Sequence, residues 1–220
     1  MSFPITHILV ADGLLTRNPR SDADAAQFLL GAIAPDAVHY REGLVGASQV
    51  DIGATKKIAH LCPVSDRRWG AETDNEGWIA CAKAWARDNT GPLAEGYVIH
   101  VMTDIYTNMS IWGRFRTQHP DEAAKGYASD YYRDLPEIDL KLYQEYVQGS
   151  RAEQLLAAAK AYDMPGLVSA QEICAIRDNL LYENYKGRTP TPGYEYKFVT
   201  YNETLNFISE AVTAIERWQA

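Results

Sequence analysis

Two side chains that are costly to bury, His100 and Asp104, lie in the apolar stretch GYVIHVMTDIYTN at residues 96–108. A spacing of four residues places both on one face of a helix, about one turn apart. An aspartate buried without a partner normally takes up a proton, because its charged form loses contact with water. A cation beside the pair removes that cost. The pattern therefore suggests a metal site, with a hydrogen-bonded core histidine as the alternative.

Three further metal-capable side chains have similar apolar surroundings. His7 lies in ITHIL, Asp36 follows GAIAP, and His60 lies in KKIAHL. Imidazole and carboxylate groups together suit zinc or another borderline divalent ion. A carboxylate can also bridge two ions, as in two-metal hydrolases, whose ions lie roughly 3.5–4 Å apart. If these residues converge with His100 and Asp104, one or two ions can be bound.

The elements that must bring these residues together are helical, because apolar residues recur every three or four positions along most of the chain. Ser21 and Asp22 can cap the segment DADAAQFLLGAIA, and Asp74 or Asn75 can cap EGWIACAKAWARDN. Residues 92–116 are predicted as one long helix that carries His100 and Asp104. Long loops are predicted at 36–56 and 61–74, and GRTPTPGYEYKFVTY is predicted as a loop or an edge. We predict an all-α protein with a single domain over residues 1–220.

Composition and charge exclude several classes of function. Twenty-nine acidic against 21 basic residues give a net charge of −8, which argues against a general nucleic-acid-binding surface. The chain contains no run of eighteen apolar residues, so no membrane span is predicted. The start MSFPITHILVADGLL has no basic segment and no small-residue cleavage site, so no signal peptide is expected. Three cysteines without a CxxC pattern indicate free thiols and a cytoplasmic location.

Four segments, THILVADGLL, FLLGAIAPDAVHYRE, KKIAHLC and GYVIHVMTDIYTN, resemble the zinc-dependent phospholipase C superfamily, which includes single-strand nucleases. The resemblance is greatest to a bacterial, phospholipase C-like branch and covers about residues 4–116. It rests on the order His, Asp, His, HxxxD. It implies an all-helical fold with a zinc cluster in a cleft, where phosphoester bonds are cut.

The resemblance also implies roles for individual residues. His7 would bind one zinc ion, while Asp36, His60 and His100 would bind another, and Asp104 would bridge the two. Asp36 would in addition be the candidate general base for the attacking water.

Three departures from the superfamily pattern change what the resemblance implies. Secreted members use the backbone of an N-terminal tryptophan as a ligand, whereas this chain begins MSFP. The position of a third-zinc histidine, six residues past the bridging aspartate, is Ser110 here, and the only histidine farther downstream is His119. A third zinc ion is therefore not expected, and the ligand set of the second is expected to be incomplete.

Several residues are candidates for contact with a substrate, each with a structural alternative. His39 is a phosphate contact or a solvent-facing loop histidine, and Arg67 and Arg68 are a phosphate fork or a solvated pair braced by Trp69. Tyr106 and Asn108 are expected to line the pocket, with core packing as the alternative for Tyr106. Asp130 and Asp139 are candidates to replace a missing ligand. We expect instead that both lie at the surface.

Two functions follow from these patterns. The first is a metal-dependent phosphoester hydrolase, in which one or two zinc ions activate a water for attack on a small-molecule or lipid phosphoester. The alternative is a non-catalytic helical module that the metal stabilises and that has lost turnover. The missing ligands favour the alternative, whereas the polar cluster favours the hydrolase.

Overall fold

The computed structural model describes residues 3–44, 49–63 and 69–219, with side chains omitted at 49–52 and 219. It is 71% helical and contains no strand within these ranges, which confirms the all-α prediction. Eleven α-helices follow one another along the described chain: α1 (Pro4–Arg17), α2 (Asp22–Gly31), α3 (Gln49–Ala59), α4 (Asn75–Asp88), α5 (Pro92–Met109), α6 (Ile111–Gln118), α7 (Pro120–Ala124), α8 (Tyr131–Leu142), α9 (Arg151–Ala158), α10 (Ala170–Asn179) and α11 (Tyr201–Gln219).

Shorter turns complete the described chain. A 3-10 turn at Ala34–Tyr40 follows α2, and another at Gly126–Ala128 precedes α8. Wider π-helical turns extend α8 through Tyr143–Val147 and α10 through Leu180–Asn184. The segment from 187 to 200 has no helix, as its prolines and glycines predict.

Several helix starts are where the sequence predicts them. The hydroxyl of Ser21 accepts from the backbone N–H of Asp24, and the carboxylate of Asp74 accepts from the N–H of Gly77. Each group satisfies a backbone donor that the first turn of a helix leaves without a partner. The predicted caps of α2 and α4 are thereby confirmed.

Two predictions about the elements that carry the site are wrong. Residues 49–59 form α3 and not a loop. The Gly-rich sequence before residue 49 does not extend into this helix. The predicted long helix at 92–116 breaks at Ser110, where φ is −112° and ψ is −99°, so that α5 ends and α6 begins. The hydroxyl of Ser110 donates to the carbonyl of Tyr106 at 2.6 Å, an alternative to helical bonding that the spacing of apolar residues does not reveal.

Helix α5 lies at the centre of the fold and contacts α1, α2, α4, α6 and α11. Its most extensive contact is with α2, where Gly31 meets Gly96. A Cβ atom at Gly96 would lie 2.0 Å from the carbonyl oxygen of Phe28, and one at Gly31 would lie 2.2 Å from that of Leu93. The two backbones can approach this closely only because neither position has a side chain. This close contact brings the end of α2 against the face of α5 that carries His100.

The membrane and cysteine predictions can be compared with the described part of the chain. No helix there is long and apolar enough to cross a bilayer. Cys62, Cys81 and Cys174 are all free thiols, as the odd count and the absence of CxxC predict.

Candidate metal centre

All five predicted metal-capable residues converge on one buried cluster. His7 comes from α1, Asp36 from the 3-10 turn after α2, His60 from the residue after α3, and His100 and Asp104 from α5. The three histidines are at most 1% exposed, Asp104 is fully buried, and Asp36 is 9% exposed. We call these five residues the His–Asp cluster. Four chain segments, far apart in sequence, therefore supply its side chains.

The distances between ligand atoms in the His–Asp cluster are short. Nε2 of His60 lies 3.2 Å from Nε2 of His100, 3.3 Å from Oδ1 of Asp36 and 3.6 Å from Oδ2 of Asp104. Nε2 of His100 lies 3.9 Å from Oδ2 of Asp36, and Nε2 of His7 lies 3.6 Å from Oδ1 of Asp104. Two overlapping triads therefore could hold a metal ion, with ligand atoms within 4.8 Å of one another: His7, His100 and Asp104, and Asp36, His60 and His100.

Backbone carbonyls fix the orientation of two of the imidazole rings. Nδ1 of His60 lies 2.9 Å from the carbonyl oxygen of Lys56, and Nδ1 of His100 lies 2.7 Å from that of Ala32. A carbonyl oxygen can only accept, so both Nδ1 atoms carry the proton and donate. In the neutral rings both Nε2 atoms then present lone pairs to the cluster. This is the arrangement by which a second hydrogen bond orients a metal-binding histidine.

The two Nε2 lone pairs face each other at 3.2 Å. They repel unless a cation or an additional proton lies between them. Burial opposes the additional proton, since it lowers the pKa of His60 to about 4 and also lowers that of His100, although Asp36 acts in the opposite direction on both. The buried pair is therefore suited to a metal ion.

His7 contributes a third imidazole. Its ring stacks on that of His100, with centroids 3.7 Å apart and planes 8° from parallel. Neither ring nitrogen of His7 makes a hydrogen bond to a described residue, although both are buried. Burial, followed by the neighbouring His100, lowers its pKa well below the usual value, so the ring is neutral. A buried neutral imidazole with an available lone pair is a ready ligand for a cation.

Sequence reasoning missed Lys56, which lies beside the cluster. The side chain is nearly buried, and Nζ lies 2.7 Å from Oδ1 of Asp36 and 3.2 Å from Nε2 of His39. Burial alone would lower the pKa of Lys56, but the carboxylate of Asp36, together with Tyr127 and Asp104, outweighs it, so the pKa is raised and the ammonium stays charged. The sequence does not indicate this role of Lys56, because residues 36–56 are predicted as a loop.

Both carboxylates of the cluster are ionised. Burial alone would raise the pKa of Asp36, but Lys56 and the histidines around it hold it well below the usual value. Burial likewise acts to raise the pKa of Asp104, and His7, His100 and His60 are among the groups that lower it instead. The cluster thus combines two negative carboxylates with neutral imidazoles, which is the protonation state that binds divalent ions.

The segment around His60 is held by aromatic side chains. The indole N–H of Trp78 donates to the carbonyl of His60 at 2.8 Å, and the hydroxyl of Tyr97 donates to the carbonyl of Ala59. Trp69 packs edge-on against the ring of His60, with centroids 4.8 Å apart. These contacts fix the end of α3, and with it the direction in which His60 points.

The predicted substrate-contact residues differ in where they lie. The His39 side chain is 39% exposed and its Nε2 lies 3.7 Å from Oδ1 of Asp36, so it stands at the solvent edge of the cluster. Arg67 and Arg68 lie outside the described residues.

The structure does not place Tyr106 and Asn108 among the cluster residues. Tyr106 packs on Phe207 of α11, on the opposite side of α5 from Asp104, since two helical positions are about 200° apart. Asn108 is on the same face as Asp104, but its amide donates to the carbonyl of Glu72 at 3.0 Å and to Asn75 at 2.7 Å. Both side chains are therefore used in packing, which was the alternative interpretation of Tyr106.

A second residue outside the cluster, Asp139 on α8, contacts the start of the helix that carries His7. The expectation that Asp139 lies at the surface is wrong, because it is only 2% exposed. Its Oδ1 accepts from the backbone N–H of Ile5 at 3.1 Å, and its Oδ2 accepts from the hydroxyl of Tyr185. Asp139 therefore caps the start of α1 from 134 residues away in sequence. No local pattern in the sequence could reveal a cap from so distant a residue.

No family model, curated protein or solved structure matches this chain.

Proposed function

We propose that the protein is a metal-dependent phosphoester hydrolase whose divalent ion is bound by the His–Asp cluster. The observation that carries the proposal is the pair of buried Nε2 lone pairs of His60 and His100, 3.2 Å apart and flanked by carboxylates. Without a cation such a cluster destabilises the folded protein, because each group is desolvated and the lone pairs repel.

The spacing of the ligand atoms supports zinc. Ligand atoms bound tetrahedrally at about 2.0–2.1 Å from a zinc ion lie about 3.3–3.4 Å from one another. Within the triad of Asp36, His60 and His100, the ligand atoms lie 3.2, 3.3 and 3.9 Å apart. Two histidines and a carboxylate with a further open position also form a common ligand set of catalytic zinc. Another divalent metal with the same ligand preference fits this set as well.

The chemistry would take place at the solvent edge of the cluster, where the Asp36 side chain is 12% exposed and His39 is 39% exposed. When bound, the metal ion supplies a water whose pKa is near 7. Asp36, the cluster residue nearest to solvent, would orient that water and accept its proton. Lys56 and His39 lie beside Asp36 and offer donors to the phosphoryl oxygens.

The class of substrate follows from charge and access. A net charge of −8 disfavours a nucleic-acid polymer, whose binding needs clustered basic residues. A small-molecule or lipid phosphoester needs only one or two donors at the site. We therefore propose a small or lipid phosphoester as the substrate. We also propose that the chain is related to the phospholipase C-like superfamily. This relationship rests on the order of the ligand residues.

The proposal is tested with purified protein loaded with zinc, assayed on p-nitrophenyl phosphate, bis(p-nitrophenyl) phosphate and phosphatidylcholine vesicles. We expect turnover of at least one substrate, reduced about 10²–10⁴-fold in Asp36→Asn, which keeps the shape of the side chain but cannot accept the proton. Asp88→Asn, an exposed position at the end of α4, is the matched control and should retain full activity. Failure of metal-loaded native protein on the whole panel would contradict hydrolysis.

One observation favours the second candidate, a non-catalytic module stabilised by its metal. Four of the five ligand residues are at most 1% exposed, as in structural metal sites that are closed to water. In that case metal is bound but no substrate is turned over, and loss of the metal changes stability alone. The same assay separates the two candidates, because it is run on protein whose metal content is measured first.

A further inference from the structure

The two triads of the His–Asp cluster share one ligand. His100 belongs to both, and its Nδ1 already donates to the carbonyl of Ala32 at 2.7 Å. Only the single lone pair on Nε2 remains, and one lone pair binds one ion. When the triad of Asp36, His60 and His100 holds an ion, His7 and Asp104 are the only members of the other triad that remain for a second.

A fixed positive charge already lies against Asp36, at the edge of the first triad. Nζ of Lys56 is 2.7 Å from Oδ1 of Asp36, which is the distance of a charge-assisted hydrogen bond. Nζ also lies 3.2 Å from Nε2 of His39, and 5.2 Å from the centre of the Trp69 ring. The Lys56 side chain is only 5% exposed, so the ammonium is held in place by its neighbours.

The charges of the cluster favour a single divalent ion. Asp36 and Asp104 together carry two negative charges, and Lys56 carries one positive charge. One divalent ion brings the buried sum to +1, whereas two ions would bring it to +3. A buried excess of three positive charges is strongly disfavoured in a medium of low dielectric constant.

Resting on the proposed function, we propose that the centre binds one divalent ion and that the ammonium of Lys56, held beside Asp36, supplies the positive charge that a second ion would otherwise bring. The ion is bound by Asp36, His60 and His100, and Lys56 supplies the remaining positive charge next to the substrate edge. The centre therefore contains a single metal ion assisted by a lysine. Asp104 does not bridge two ions.

The test is the number of zinc ions bound per chain, measured by elemental analysis and by calorimetric titration of zinc into metal-free full-length protein. We expect one equivalent in the native protein, even with a tenfold excess of zinc. Lys56→Ala removes the positive charge and opens space beside Asp36, and should bind a second, weaker equivalent. Lys56→Arg keeps the charge and should bind one. Lys83→Met, at an exposed position of α4, is the matched control and should also bind one.

The outcomes separate this inference from the proposed function. Two equivalents in the native protein would overturn the inference and leave the hydrolase proposal standing. A single equivalent in a folded Lys56→Ala variant would overturn the role assigned to Lys56. If Lys56→Ala does not fold, the native and Lys56→Arg stoichiometries still decide, because two equivalents in either contradicts the inference. No zinc in the native protein would overturn the metal centre itself.

Discussion

At the scale of single residues, backbone carbonyls orient two of the three histidines of the cluster. His60 and His100 each donate from Nδ1 to a carbonyl and present Nε2 to the cluster. The chemistry of the site thus depends on atoms that no substitution of a side chain can remove directly. It depends equally on the groups that fix the backbone, of which Asp139 at the start of α1 is the most distant in sequence.

Asp139 gives a prediction about pH. Burial raises its pKa to about 7 in the folded protein, while hydrogen bonds from Tyr185 and from the N–H groups of Ile5 and Thr6 act to lower it. An unfolded chain has an aspartate pKa of about 3.9. Above that value the unfolded state has lost a proton that the folded state retains. The contribution of Asp139 to stability is therefore fully present below about pH 4 and is lost as pH rises through about 7, by about 4 kcal/mol in all.

We expect this pH dependence to be absent in Asp139→Asn, whose amide does not titrate. The measurement is the free energy of unfolding in urea from pH 4.5 to 7.5, with a chelator present so that no metal contributes. The native protein should lose stability relative to Asp139→Asn across that range. Tyr185→Phe is the companion variant and should extend the loss above pH 7, because the hydroxyl that lowers the pKa of Asp139 is gone. Parallel curves for native protein and Asp139→Asn would show that Asp139 does not titrate in this way.

At the scale of elements, the contact between α2 and α5 decides whether His100 can meet the carbonyl of Ala32. Gly31 and Gly96 allow the two backbones to touch, and His100 follows Gly96 by four residues on the same helix face. The sequence shows two glycines inside helical segments, where each costs about 1 kcal/mol relative to alanine. The structure gives the reason that this cost is tolerated.

Gly96→Ala should destabilise the protein, because its Cβ would lie 2.0 Å from the carbonyl oxygen of Phe28 and would push α2 away from α5. Overpacking of this kind typically costs about 1–3 kcal/mol, measured as a lower midpoint of urea denaturation. Zinc affinity should fall as well, since the bond from His100 to Ala32 is lost.

The matched control is Gly53→Ala on α3, where the nearest atom to an added Cβ is 3.8 Å away. That substitution should be neutral or stabilising by about 0.5–1 kcal/mol, because alanine is the better helix former. Equal effects of the two substitutions would show that the α2–α5 contact is not as close as described.

Comparison with the sequence predictions shows which features are local. The caps at Ser21 and Asp74 and the facing pair His100 and Asp104 were predicted, because each depends on residues within one helical turn. The position of Lys56 is not predictable from local sequence, because Asp36 and His39 come close to it only on folding. The break at Ser110 is local, but the spacing of apolar residues does not reveal it. The five cluster residues were selected by residue type and apolar surroundings, and by a resemblance that no comparison tests.

At the scale of the whole molecule, the cluster joins segments from residue 7 to residue 104. Helix α1, the turn after α2, the end of α3 and helix α5 each contribute a ligand residue. An ion bound between the turn after α2, the end of α3 and α5 stabilises only the folded state, because an unfolded chain cannot bring these ligands together. Metal binding is therefore expected to change global stability.

Removal of the metal should lower the melting temperature. At a free zinc concentration of about 100 times the dissociation constant, binding stabilises the folded state by about 2.7 kcal/mol. For a chain of this size each kcal/mol corresponds to about 2–4 °C, so a chelator should lower the melting temperature by about 5–10 °C. Scanning calorimetry with and without chelator measures this shift. His100→Ala should show no shift, and an equal shift in both proteins would indicate an effect of the chelator elsewhere.

The measurement that tests the central claim most directly is elemental analysis of the purified native protein beside His100→Ala, His60→Ala and His119→Ala, all expressed in zinc-supplemented medium. His119 is exposed and outside the cluster, so its variant is the control for loss of a histidine. We predict one zinc equivalent in the native protein and in His119→Ala, and almost none in the two cluster variants. No metal in the native protein, or the same metal content in all four proteins, would contradict a metal centre formed by the His–Asp cluster.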